Sequence, residues 1–173
     1  LHSFPTRRSS DLHIVARVHG VAVGAGCDLA LACDLIIASD QAQFGQFWVR
    51  RGLVPDLGAV YLLPRLVGLH RAKELILTGR LIDAHTAARM GLVNEVVPHA
   101  ELDAAVTRVC AELAQAPAAA VAMAKQLLNT SFERDFDALL ELVKLGNMHL
   151  TQTSDFKEAV AAWLQQSAQP RRE

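Results

Sequence analysis

The chain has 173 residues, with 17 Lys and Arg against 18 Asp and Glu, so its formal charge is −1. A balance this near neutrality, with no block of like charge, argues against a partner nucleic acid or an anionic membrane surface, and no uninterrupted apolar run approaches the ~20 residues of a membrane span. Apolar residues make up 51% of the chain and aromatics only 5%, so the core material is Ala, Leu and Val, which favours a helix-rich globular domain and excludes disorder.

Residues 1–12, LHSFPTRRSSDL, are polar around Arg7, Arg8, Ser9 and Ser10 and carry no apolar period. Lacking an apolar central region, they are not a secretory signal, and they read as a cloning or library scar rather than as a transit peptide. From His13 a buried-strand pattern starts at once, so the chain is expected to begin in mid-domain.

His13–Val18 reads as a strand ending at Gly20, and Val21–Gly26 as tight backbone turning rather than a regular element. Asp28–Cys33 favours helix and Leu35–Ala38 a second buried strand, an alternation that suggests a layered α/β arrangement. Phe44-Gly45 and Arg51–Gly58 read as loops, with Asp56 as the N-cap of a following helix. Lys73–Thr78 closes at Gly79, and Asp83–Met90 runs from an Asp83 N-cap to a stop at Gly91. Leu92–Val97 is a short strand ended by Pro98. Leu102, Val106, Val109 and Leu113 mark one face of an amphipathic helix. Pro117 opens the next, which reaches about Asn129. Phe136, Leu139, Leu140 and Val143 mark another helix, and Phe156, Val160, Trp163 and Leu164 the last. The order is a short α/β part followed by a helical tail, with the strands that complete the sheet expected before the chain's first residue.

Cys27, Cys33 and Cys110 form no CxxC pair and fit no zinc spacing, so they read as reduced thiols in a cytoplasmic compartment, with no metal site. The sharpest local signal is Gly20–Cys33, GVAVGAGCDLALAC, where Gly24 and Gly26 flank Ala25 just before a helix. Without Cβ the backbone can approach a ligand closely, and N–H groups at the positive end of a helix dipole can hold an anion or a developing oxyanion. On these residues alone ordinary turn packing is the favoured reading. The stretch is not a dinucleotide fingerprint, because the third glycine of GxGxxG would fall at Leu29.

Taken whole, the sequence resembles the enoyl-CoA hydratase/isomerase, or crotonase, family. VHGVAVGAGCDLALACDLIIAS, AQFGQ (Ala42 to Gln46), RGLVPDLG, LPRLVG (Leu63 to Gly68), LTGRLIDAHTAARMGLVNEVVP (Leu77 to Pro98) and AMAKQLLN (Ala122 to Asn129) follow one another in the family's order. The resemblance covers Ile14 to Leu164. It implies an α/β fold of the ClpP/crotonase type, a spiral of short strands and helices with a helical C-terminal extension. It also implies a division into residues 1–12 as a non-native leader, 13–100 as the C-terminal part of the α/β core, and 101–168 as a helical extension used for trimerisation. Homotrimers or dimers of trimers are the implied assembly. An acyl-CoA thioester is the implied substrate, with no further cofactor.

Residue by residue, the resemblance gives Ala25 the oxyanion-binding N–H and places Val23, Gly24, Gly26, Trp48, Arg51 and Pro55 against the substrate. The second oxyanion donor and much of the CoA surface belong to sequence before Leu1, and the loss of one such donor raises a barrier by ~2.7–4 kcal/mol, so the chain by itself is expected to be inactive. Family hydratases use two glutamates. Here Asp28 stands at the first position and Trp48 at the second, while Asp56 matches the aspartate of isomerase-type members. Read without the resemblance, Asp28 only complements a helix dipole and Asp56 only caps a turn. His19 reads as structural, His70, His85, His99 and His149 fall on helix or turn positions with no partner in view, and Arg50, Arg51 and Lys125 read as solvated, although they could meet CoA phosphates. The resulting expectation is an enoyl-CoA isomerase working through Asp56. An enoyl-CoA hydratase using Asp28 and a non-catalytic binding or assembly protein remain the alternatives.

Overall fold

Six short strands form two three-stranded sheets in a computed structural model that describes residues 12–167. One sheet has the order β1 (Val15–Val18), β3 (Leu35–Ser39), β6 (Glu95–Val97), with every pairing parallel. The other has the order β2 (Val21–Val23), β4 (Gln43–Gly45), β5 (Leu81–Asp83), parallel between the first two and antiparallel between the last. Central β3 explains its own unbroken apolar run. Ile36 and Ala38 point into one core and Ile37 into a second, so neither side of the strand meets water.

Two segments differ from the sequence reading. Val21–Val23 is a strand, not a turn, because Ala22 is buried and the strand pairs with β4. All the turning is compressed into Gly24, whose φ of 50° and ψ of −121° suit glycine. Phe44-Gly45 belongs to β4 rather than to a loop, with Phe44 buried as a core anchor opposite Ile82. Strands of three residues offer no alternation to read.

Helices fill the remainder of the first compact unit, which runs to Leu113. They are α1 (Ala25–Leu31), α2 (Ala59–Val67), α3 (Leu69–Thr78), α4 (Ala84–Arg89) and α5 (Leu102–Leu113). The expected ends of α3 and α4 are in place. Gly79 closes α3 in the left-handed region, and the Thr86 N–H donates to Asp83 Oδ1 at 2.7 Å to cap α4. Asp56 is not the cap of α2. Gly58, at φ 103°, occupies that position without a side-chain bond, and Asp56 lies two residues outside. A left-handed glycine makes the reversal there, so the helix starts only where Ala59 enters the core. Leu102, Ala105 and Val109 of α5 pack with Ile37, with Val106 and Leu113 beside them, which ties this helix to the sheet. The first compact unit therefore includes α5 and runs to Leu113.

From Ala114 a second unit contains α6 (Ala118–Thr130), α7 (Phe136–Leu150) and α8 (Ser154–Ser167). Asp135 caps α7 by accepting from the Ala138 N–H at 2.9 Å. Gly146 brings α7 against Met123 of α6, since a Cβ there would stand 3.2 Å from Met123 Cγ. Of the expected leader, only Leu12 falls within the described residues.

Candidate active site

The site grows from the end of β2. The Gly24 N–H donates to the Gly45 carbonyl at 3.0 Å, and the Asp28 N–H donates to the Gly24 carbonyl at 2.9 Å, which starts α1. No side chain caps this helix, so the first-turn N–H groups of Ala25, Gly26 and Cys27 have no intrahelical acceptor. Ala25 and Gly26 are exposed. The helix dipole adds positive potential where those donors sit. Over the same turn lies the pyrrole edge of Trp48, and a Cβ on Gly24 would stand 3.6 Å from its Cε2 and 3.7 Å from its Nε1. Gly24 is thus required by its φ, while a Cβ there would meet the indole at ordinary van der Waals distance.

One turn into α1, Asp28 is completely buried. The amide of Gln46, itself 1% exposed, donates from Nε2 to Asp28 Oδ1 at 2.7 Å. Asp28 Oδ2, Gln46 Oε1 and Trp48 Nε1 are buried with no hydrogen-bond partner of ordinary geometry among the described residues. Burial pushes the Asp28 carboxyl above the usual carboxylate range, against the pull of the Gln46 amide. The negative charge of Asp56 raises it further, while the neighbouring Leu57 N–H and Trp48 indole draw it down. Beside it, burial and then the Asp28 charge push the Cys27 thiol up to about 12, which makes it a poor nucleophile.

Asp56 is exposed, just after the buried Pro55, and lies close enough to Asp28 for their charges to interact. The fold therefore gathers Asp28, Trp48 and Asp56 near the Gly24–Ala25 turn, with Val23 half-buried at the end of β2. Arg51 is exposed at the end of a single 3-10 turn, Val49–Arg51. Arg50 is engaged elsewhere, with its Nε donating to the Thr78 carbonyl at 3.0 Å and its guanidinium 5.7 Å from the Phe47 ring centroid.

Several polar residues away from the turn have structural surroundings of their own. Lys125 is buried rather than solvated. His99, for which the sequence suggested no partner, makes a 3.1 Å hydrogen bond between its Nδ1 and Ser39 Oγ. Asp34 and Asp40 brace strand ends by accepting from the Ile14 and His99 N–H groups at 2.8 and 3.1 Å. The Cys33 thiol donates to the Leu29 carbonyl at 3.3 Å. Gln46 is the site residue that residue-type reasoning misses. Its only signal in the sequence is its place in AQFGQ, the segment that forms β4.

Stacked short strands, a glycine turn heading a helix and a buried carboxylate behind it define a crotonase-type fold. The sequence profile of the enoyl-CoA hydratase/isomerase family matches residues 5–170, and the chain belongs to that family. A short-chain-enoyl-CoA hydratase of Clostridium acetobutylicum is 37% identical over 152 residues, which are 88% of this chain and 58% of that protein. An enoyl-CoA hydratase/isomerase crystal structure from Cupriavidus metallidurans matches with a TM-score of 0.91 at 36% identity, over 99% of this chain and 67% of the other. A Thermobifida fusca relative crystallised with CoA is 42% identical, with a TM-score of 0.82 over 84% of this chain and 57% of that one. The chain spans about three-fifths of the length of the curated relatives it matches. Among the described residues, no helix is long and apolar enough to cross a membrane.

Proposed function

We propose that this chain carries the proton-transfer part of an enzyme acting on enoyl-CoA thioesters, and that it moves a double bond along the acyl chain. The observation that carries this reading is the pairing of an exposed Asp56 with a buried Asp28, with Trp48 where a hydratase of the family holds its second carboxylate. Removing a proton beside a thioester builds charge on the carbonyl oxygen. The Ala25 N–H, fixed at the head of α1, stabilises that charge as it develops and so lowers the barrier selectively. Asp56 then takes the proton from one carbon and returns it to another. An indole cannot share this work, because it neither accepts nor releases a proton near neutral pH.

Hydration is the second reading, and the relatives' names favour it, since curated relatives and solved neighbours alike carry hydratase names. In that case Asp28 activates the water and Asp56 is a turn residue. On either reading the substrate is an acyl-CoA used without a further cofactor. Val23, Gly26, Arg51 and Pro55 line its approach, the protein works in the cytoplasm, and it assembles as trimers or dimers of trimers through the helices beyond residue 100.

Comparing two reactions on the full-length protein that contains this chain separates these readings. Conversion of 3-enoyl-CoA to 2-enoyl-CoA is expected to exceed hydration of 2-enoyl-CoA. Asp56→Asn is expected to lower turnover ~10²–10⁴-fold with KM little changed, and Asp28→Asn to cost less. Faster hydration, with Asp28→Asn the more damaging change, establishes the hydratase instead.

A further inference from the structure

The geometry points to Gln46 as a positioning residue, whose side-chain amide serves Asp28 in either of that residue's protonation states. The inference rests on the reading above only in taking Asp28 to belong to a proton-handling site. Asp28 is completely buried, and its one bond to a neighbouring side chain of ordinary geometry is the 2.7 Å contact from Gln46 Nε2 to Oδ1. Gln46 is buried as well, and its own Oε1 has no partner among the described residues. Both ends of the amide are therefore available to the carboxyl. When Asp28 is ionised, the amide N–H donates to it, as the structure shows. When Asp28 is protonated, a half-turn of the amide lets Oε1 accept the carboxylic O–H. A buried carboxyl that loses such a partner is driven toward its neutral form, because its charge is then less well bonded where water does not reach.

The surroundings supply no equal substitute. Asp56 opposes ionisation of Asp28, and the Cys27 thiol, held neutral by burial, is a weak donor. The Trp48 indole and the Leu57 N–H favour the charged form, but both are donors only and cannot accept a proton from the acid. Among these groups Gln46 alone combines a strong donor with a strong acceptor, since the thiol is weak in both roles. It directly follows β4, whose last residue, Gly45, accepts from the Gly24 N–H.

The test needs no substrate, so it is independent of which reaction the enzyme performs. The 173-residue chain, labelled at Asp carboxyl carbons and Gln side-chain nitrogens, is titrated by NMR. The Gln46 Nε2 resonances are expected to shift with the same midpoint as the Asp28 carboxyl, and to lose that titration in Asp28→Asn. Gln46→Leu keeps the volume and removes both polar ends, and it is expected to raise the proton affinity of Asp28 by a factor of ten or more. Should the leucine variant fail to fold, Gln46→Glu decides, because a second carboxyl in place of the donor must raise that affinity too. Amide resonances that ignore the Asp28 titration overturn the proposal. So does a folded variant in which Asp28 titrates as in the wild type.

Discussion

Asp28 shows how one buried residue couples the site to the stability of the whole unit. Its carboxyl is completely buried, and burial, the largest influence on it, favours the protonated form. In the unfolded chain the same group titrates as an ordinary aspartate. The folded state therefore binds this proton more tightly. The stability Asp28 contributes is fully present below the unfolded carboxylate range, and it is lost as pH rises through the higher folded value. Asparagine does not titrate, yet its Oδ1 still accepts from Gln46. The stability of Asp28→Asn relative to the wild type should thus increase from about pH 4 upward and level off once the wild-type carboxyl has ionised. Urea unfolding at a series of pH values measures the difference directly. A gap that narrows with rising pH would show that the carboxylate, not the acid, is the form the fold prefers.

Short elements depend on close approach rather than on propensity, and β4 is the clearest case. Gly45 ends the strand with its backbone against β5, and a Cβ there would stand 3.0 Å from both the Arg80 carbonyl oxygen and Leu81 Cδ2. The leucine tip can move, but the carbonyl belongs to the neighbouring backbone and cannot move without shifting β5. Gly45→Ala should therefore destabilise the protein by about 1–3 kcal/mol, the ordinary cost of overpacking, and chemical denaturation would detect it. A stability equal to wild type would mean that β5 moves aside without cost. This dependence on contact also decides what the sequence reveals. Helices that carry their own punctuation, such as Asp83 before α4 and Gly79 after α3, are legible because the signals are local. β2 and β4 are not, because three residues of Val, Ala, Phe and Gly become a strand only when a partner strand pairs with them. Motif order, which preserves positions, is what singles out Ala25, Asp28, Trp48 and Asp56 in the sequence. Asp56 reads as a cap in the sequence, whereas left-handed Gly58 does the turning in the structure. The contact of Gln46 with Asp28 spans 18 residues of chain, which no local pattern encodes.

For the molecule as a whole, the second unit raises the question of what covers its surface. Phe156, Val160, Trp163 and Leu164, the stripe that marks α8 in the sequence, are all exposed, Trp163 to 65%. On α7, Phe136, Leu145 and Met148 are exposed as well. A monomer scatters single apolar side chains over its surface, but a periodic row along one helix face marks a docking surface. Full burial of such a side chain stabilises an assembly by ~1.5–3 kcal/mol, so a row of four on each copy offers a substantial gain on association. The chain in solution is therefore expected to self-associate. Trp163→Glu, which places a charge in the middle of the stripe, should shift sedimentation toward smaller species while circular dichroism retains its helical signal. A wild-type chain that sediments as a monodisperse monomer would rule out this face as a self-association surface. An unchanged sedimentation profile for Trp163→Glu would instead place the contact elsewhere on the chain.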